Sequence, residues 1–194
     1  MGRRQNHPKY KEFRFDAGSL ALNYVATVRH RGSEPVDLLM TSQTLSEWLA
    51  LSGVSRSPVC SSADEHREAL LLREAIHDAV RSVVLGETPD PADIKLINGY
   101  AANPNAAPQL SSNGIVWMAS RVLTACLAEV ARDAVLLIGG GQTDRLRMCN
   151  EDGCRMLFFD ASPAKRRRWC SMSICGNRDK VAAHRQKKQR DQAF

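Results

Sequence analysis

Apolar residues recur at helical spacing through most of the first 140 positions, then give way to a polar stretch marked by cysteines. Leu20, Tyr24, Val25 and Val28 share one face of a first helix, which His30-Arg-Gly-Ser-Glu-Pro35 breaks. Leu45, Trp48 and Leu49 form the apolar face of a second helix over about 44–52, with Thr44-x-x-Glu47 as a capping box and Gly53 as its stop. The spacing predicts a long helix over 64–85. It opens on the capping box Ser62-x-x-Glu65, repeats Leu72, Ile76, Ala79/Val80 and Val83 every 3.6 residues, and ends at Gly86. Asp90-Pro91 starts another helix, as N-cap and first-turn proline, running to about residue 102. Residues 109–118 alternate as a β-hairpin turning at Asn113-Gly114. A last helix over 120–138 presents Val122, Leu123, Cys126, Leu127, Val130 and Leu137. Gly139-Gly140-Gly141 ends it and divides the chain into 1–141 and 142–194.

The second part changes character. Cys149-x4-Cys154 and Cys170-x4-Cys175 place four of the six cysteines in one 27-residue window. Two equally spaced pairs are what a tetrahedral ion needs, with four thiolates converging at about 2.3 Å on one zinc. Asn150-Glu-Asp-Gly153 supplies the turn between the first two ligands. An iron–sulfur cluster could use the same sulfurs; zinc is the expected occupant, one per chain. Four thiolates leave no position for water or substrate, so the site is expected to be structural. The order of elements suggests a treble clef: a knuckle, a strand returning over 155–159, a short turn at Ser162-Pro163, then a helix opened by Cys175-Gly176-Asn177. In that scheme Gly176 turns the chain out of the second knuckle and Asn177 caps the helix. The expected fold class is mainly α with a small β-hairpin, an N-terminal helical domain followed by a treble-clef-like zinc finger.

Charge follows the same division. Residues 145–194 carry 13 Lys/Arg against 5 Asp/Glu, whereas residues 1–144 carry 14 against 16. Bound zinc with four thiolates still leaves the finger strongly basic, a pattern suited to a phosphate backbone. No apolar run follows the basic first residues and none is long enough for a membrane span, so a cytoplasmic protein with reduced cysteines is expected. The histidines at 7, 30, 66, 77 and 184 are too scattered to make a second site. No phosphate loop, nucleophile elbow or paired-carboxylate pattern is present, and no enzymatic activity is expected.

Arg147-x-Cys149-x4-Cys154-x3-Phe158-x-Asp160, then Arg166-Arg167-x-Trp169-Cys170-Ser171-x3-Cys175-Gly176-Asn177-Arg178, resembles the CGNR zinc-finger family. Members of that family typically carry an N-terminal ABATE domain, a mostly helical module assigned to stress-induced transcription regulators. The body is similar to that domain at Arg29, Asp37, Leu45-x-x-Trp48-Leu49 and Leu72-Arg73-Glu74-Ala75. It departs from the family at Asn23, where an Asp is usual, and at Ala26, where an Asn is usual. The resemblance implies a regulator rather than a catalyst.

These readings converge on a DNA-binding transcriptional regulator whose helical part senses a small-molecule effector or assembles, for example as a homodimer. The alternative is a zinc-stabilised adaptor for a protein or RNA. Cys149, Cys154, Cys170 and Cys175 are the expected metal ligands. Lys165, Arg166, Arg167, Arg168, Arg178, Lys180, Arg185, Lys187, Lys188 and Arg190 are the expected contacts to duplex DNA. Asn177 and Arg178 have the chemistry to read bases, although a cap and a brace of the knuckle are their first roles.

Overall fold

The chain is described by a computed structural model over residues 12–56, 59–181 and 188. The first eleven residues and most of the basic stretch after residue 181, with His184, Arg185, Lys187 and Arg190, on which a helix was expected, lie outside the described residues. Among the described residues the architecture is mainly helical, with three two-stranded antiparallel sheets.

Helix α1 (Leu20–Val25) is capped by Ser19, whose hydroxyl accepts from the Leu22 amide. It stops three residues before the apolar spacing does. Thr27 turns its hydroxyl and its amide onto the Tyr24 carbonyl, at 2.6 and 3.1 Å, closing the turn. The chain then enters β1 (Val28–Arg29), which pairs with β2 (Val36–Asp37). The stretch predicted only to break the helix is therefore the bend of a hairpin, with His30 at φ 57°. Helix α2 (Ser42–Leu51) begins earlier than its predicted box. Thr41 is the N-cap and Thr44 closes the capping box, while Glu47 accepts from Gln43 instead.

Helix α3 (Ala63–Leu85) follows the sequence reading closely, with the Ser62–Glu65 capping box at one end and Gly86 at φ 75° at the other. Helix α4 (Pro91–Ala101) starts from Asp90, whose carboxylate accepts from the Ala92 amide at 2.7 Å. The hairpin β3 (Ala107–Ser111) and β4 (Gly114–Met118) turns one residue earlier than expected, because Gly114, not Asn113, takes the positive φ of 109°. Every residue of both strands except Ser111 is exposed, Leu110 at 91% and Ile115 at 70%. Helix α5 (Val122–Gly139) buries Leu123, Cys126, Leu127 and Val130.

Trp48, Tyr24, Leu22, Leu72, Ile76 and Leu127 form the centre of the core, and the Tyr24 hydroxyl donates to the Ala69 carbonyl at 2.7 Å. An ionic chain borders it. Arg73, 3% exposed, donates from both terminal nitrogens to Asp37 at 2.7 Å and from Nε to Glu74 at 2.8 Å, and Arg31 grips Glu74 from the other side. This network ties the β1–β2 hairpin to α3.

The core does not stop at the three glycines. Beyond them β5 (Leu146–Met148) pairs with β6 (Leu157–Phe159), and Leu146, Leu157 and Phe158 are buried in the same apolar cluster as the helices. The Phe159 amide donates to the Ala17 carbonyl at 2.8 Å, and a Cβ on Gly18 (φ 98°) would lie 2.8 Å from the Phe159 Cβ. Only glycine allows that approach.

Candidate metal centre

The first cysteine pair occupies the loop of the β5–β6 hairpin. The Cys149 amide donates to the Met156 carbonyl at 2.9 Å, and the Cys154 and Arg155 amides both turn onto the Glu151 carbonyl. The left-handed residue that returns the chain to β6 is Arg155, at φ 51°, and not Gly153 as its residue type suggested. The second pair is brought up by Asp160. Its carboxylate, fully buried, accepts from the amides of Ser162 at 3.0 Å and Arg167 at 2.8 Å and folds the intervening loop back. Burial works against its charge, and these hydrogen bonds outweigh it, leaving the Asp160 pKa below the ordinary value. The Asn150 amide then bonds the Arg168 carbonyl at 2.9 Å, joining the two knuckles.

Cys175 does not open a helix. It sits inside a wide helical turn, Met172–Gly176, that starts from Ser171, and residues 177–181 continue it as α-helix. Asn177 is consequently in helical conformation (φ −67°, ψ −36°), with its side chain donating back to the Ser173 carbonyl at 3.1 Å. It is not the N-cap. Gly176 has no unusual backbone angle, and a Cβ there would meet the Met172 Sδ at 2.9 Å, a clash that the flexible, exposed Met172 side chain can relieve by moving.

These segments bring the four ligand atoms of Cys149, Cys154, Cys170 and Cys175 within 4.8 Å of one another, all buried and none in a disulfide. Cys170 Sγ lies 3.8 Å from that of Cys154 and 3.6 Å from that of Cys175. Tetrahedral sulfurs bound at about 2.3 Å to one ion stand about 3.8 Å apart, so the site fits a single structural zinc. It leaves no gap for a cluster of irons and sulfides. The Cys170 amide points at Cys149 Sγ at 3.5 Å, a donor suited to a thiolate. The contacts that push the Cys170 thiol down push those of Cys154 and Cys175 up, so a bound cation is what lets all four sulfurs ionise together.

The basic residues divide by duty. Lys165 pairs with Asp144, and its carbonyl accepts from Arg147 at 3.0 Å. Arg167 donates to the Cys170 carbonyl at 2.7 Å and lies over the Phe158 ring. Arg178 reaches Glu151 at 3.5 Å and braces the first knuckle. Arg168 lies over Trp169, its guanidinium carbon 4.7 Å from the ring centre. Arg166, Lys180 and Lys188 are exposed. Sequence reasoning did not find Arg14, whose Nη1 donates to Cys170 Sγ at 3.4 Å across 156 positions of chain. No local pattern could reveal a contact of that separation. Among the described residues no helix is long and apolar enough to cross a membrane.

Comparison with known families gives two matches. The ABATE family, described as "Putative stress-induced transcription regulator", matches residues 18–141, and the CGNR zinc finger matches residues 145–188. Neither is an enzyme family. No curated protein matches the chain.

Proposed function

Because the chain belongs to the ABATE family and carries a CGNR zinc finger, we propose that it is a transcription regulator that binds duplex DNA through the finger. Residues 1–141 and 142–194 act as its two functional units within one protein of the cytoplasm. The observation that carries the reading is the concentration of charge on the metal-bound part, 13 Lys/Arg against 5 Asp/Glu over 145–194. Zinc fixes the direction of the side chains that follow Cys175, and cations held in a fixed array can track phosphates. Arg166, Arg168, Lys180 and Lys188 are the described residues best placed for this role; Arg185, Lys187 and Arg190 extend the set. Lys165, Arg167 and Arg178 hold the finger together first, and any phosphate contact they make is secondary.

The helical unit supplies control. The β3–β4 hairpin has no charged residue between 106 and 120 and leaves Leu110, Ile115 and Met118 exposed. An uncharged apolar hairpin of this size is a surface for assembly, and a homodimer would place two fingers on one duplex. A small effector would enter the cleft of about 210 Å3 lined by Gly18, Asp133, Leu136 and Phe159, where α5 meets β6. The same hairpin favours the second reading, an adaptor that docks on a protein. Selection of the zinc-loaded chain against random duplexes separates the two. Recovery of a consensus sequence supports DNA readout, and recovery of no enriched sequence favours the adaptor.

A further inference from the structure

Two guanidiniums are buried beside the sulfurs, and one of them lacks the carboxylate that a buried cation ordinarily needs. Arg14 arrives on the segment before α1, with its side chain 10% exposed. It shares its nitrogens between the exposed Asp16, at 2.7 Å, and Cys170 Sγ, at 3.4 Å. Arg29, on β1, is 7% exposed. Among the described residues its one hydrogen bond runs from Nη1 to the Glu12 carbonyl at 3.4 Å, and no carboxylate pairs with it. Burial and the nearby Arg14 charge press its pKa down, while Cys154 and Cys170 press it up.

Both arginines line one cavity with Cys154, Cys175, Met156 and Ile174. Its volume is about 10 Å3, room for no more than one water. A phosphate or carboxylate ligand cannot enter, so the anion these cations face must belong to the protein. Four thiolates around one dication carry two net negative charges. Arg29, with no carboxylate partner among the described residues, and Arg14, shared with Asp16, face that charge, and Arg178, paired with Glu151, lines the same cavity. We propose that Arg14 and Arg29 are the counter-charge of the zinc tetrathiolate, so that the segment over 12–16 and the β1–β2 hairpin dock on the finger when it is metal-loaded and loosen when the metal leaves.

The linkage follows from geometry. The ion is what holds four sulfurs around one centre, and without it the Cys170 sulfur that Arg14 meets at 3.4 Å and the cavity wall of Cys154 and Cys175 beside Arg29 lose their fixed place. The hairpin that carries Arg29 also carries Asp37, the partner of Arg73 on α3, and Arg31 at its bend holds Glu74. Its tip touches the first knuckle directly, where Ser33 Oγ donates to the Gly153 carbonyl at 3.3 Å. Loss of metal thereby reaches the helical body through named ion pairs. Arg14 precedes residue 18, where the family match begins, and neither arginine lies in the matched finger. Both act as positioning residues for the metal site.

The test uses the full chain loaded with zinc. Release to a chromogenic chelator is timed for wild type, Arg14→Gln, Arg29→Gln, Arg29→Met and Arg14→Lys. Removal of partners that orient and balance a metal site typically costs 10–100-fold in metal affinity, so Gln at either position is expected to speed release about 10-fold or more. Arg29→Met keeps the bulk of the side chain and loses its charge, and is expected to behave like Gln; Arg14→Lys is expected to recover part of the effect. Hydrogen exchange of the wild type is compared with and without metal. Exchange over 12–16 and 28–37 is expected to rise at least 10-fold on removal while α4 stays protected. Release within twofold of wild type for both Gln variants overturns the proposal, as does wild-type release by Arg29→Met. Should a variant fail to fold, unchanged exchange over 12–16 and 28–37 in the wild type overturns it alone.

Discussion

Replacing Asp37 by Asn isolates the energy of the ionic chain between the β1–β2 hairpin and α3. The variant keeps size and shape and removes the negative charge that Arg73 meets through two hydrogen bonds of 2.7 Å. Breaking a buried pair from one side costs about 3–5 kcal/mol, because the remaining charge is left without compensation. Two features lower that figure. Arg73 keeps Glu74 on its Nε at 2.8 Å, and the Asp37 side chain is 33% exposed, so water screens part of the interaction. The expected loss is about 2–3 kcal/mol, or a fall in Tm of about 5–10 °C for a chain of this length. Denaturant unfolding at pH 7 with free zinc held constant measures it. Arg73→Met combined with Asp37→Leu should recover most of the loss, since an apolar pair of similar volume replaces the ion pair at little net cost. Burial opposes the charge of Asp37, and the Arg73 hydrogen bonds outweigh it, so its folded pKa lies below the ordinary value. The pair's stabilisation is therefore complete above about pH 4 and lost as pH falls through the lowered folded value. The gap between wild type and Asp37→Asn should close over that acid range. A loss below about 1 kcal/mol at pH 7, or a double variant no more stable than the sum of its singles, would refute the reasoning.

Gly18→Ala combines a positive φ with a Cβ 2.8 Å from that of Phe159; it should cost at least about 1–3 kcal/mol by chemical denaturation, well above the cost of Gly176→Ala, whose nearest neighbour is the flexible Met172 side chain. Cys175→Ser should abolish stoichiometric zinc in metal analysis, since structural zinc contributes on the order of 10–16 kcal/mol. Because Leu146, Leu157 and Phe158 share the core with the helices, its hydrogen exchange should also rise in α1 and α3. Asn177→Ala removes one hydrogen bond to the Ser173 carbonyl and no cap, so it should cost under about 1 kcal/mol in thermal unfolding.

Long periodic helices were legible in the sequence because their signals are local. The Ser62–Glu65 box, the Asp90-Pro91 start and the Gly86 stop of α3 each depend on residues within a turn or two. The metal site was legible for the same reason, since the four cysteines fall in two short matched spacings. Errors arose where a side chain chose between two local partners. Thr27 folded onto Tyr24 and ended α1 early, and Thr44 served the cap at Thr41 rather than one of its own. At Ser171 it was the backbone carbonyl, accepting from the Cys175 and Gly176 amides at 3.0 Å, that took the helix start assigned to Asn177. Distant pairings were beyond reach. Arg14 on Cys170, Asp133 on the Ala21 amide and Ser33 on Gly153 join positions more than 100 residues apart. The split of duty among the basic residues also needed coordinates, because Arg167 and Arg166 are alike in sequence and only one reaches the Cys170 carbonyl.

The central claim is that a zinc-ordered basic surface meets duplex DNA, and the salt dependence of binding by the zinc-loaded chain tests it most directly. Each phosphate neutralised contributes about −0.9 to the slope of log affinity against log salt. Contacts from Arg185, Lys187, Lys188 and Arg190 should give a slope of about −3.6 or steeper, and changing two of these residues to Gln should flatten it by about 1.8 on every duplex tested. Absence of salt-dependent affinity at low ionic strength, with zinc bound, would contradict the account.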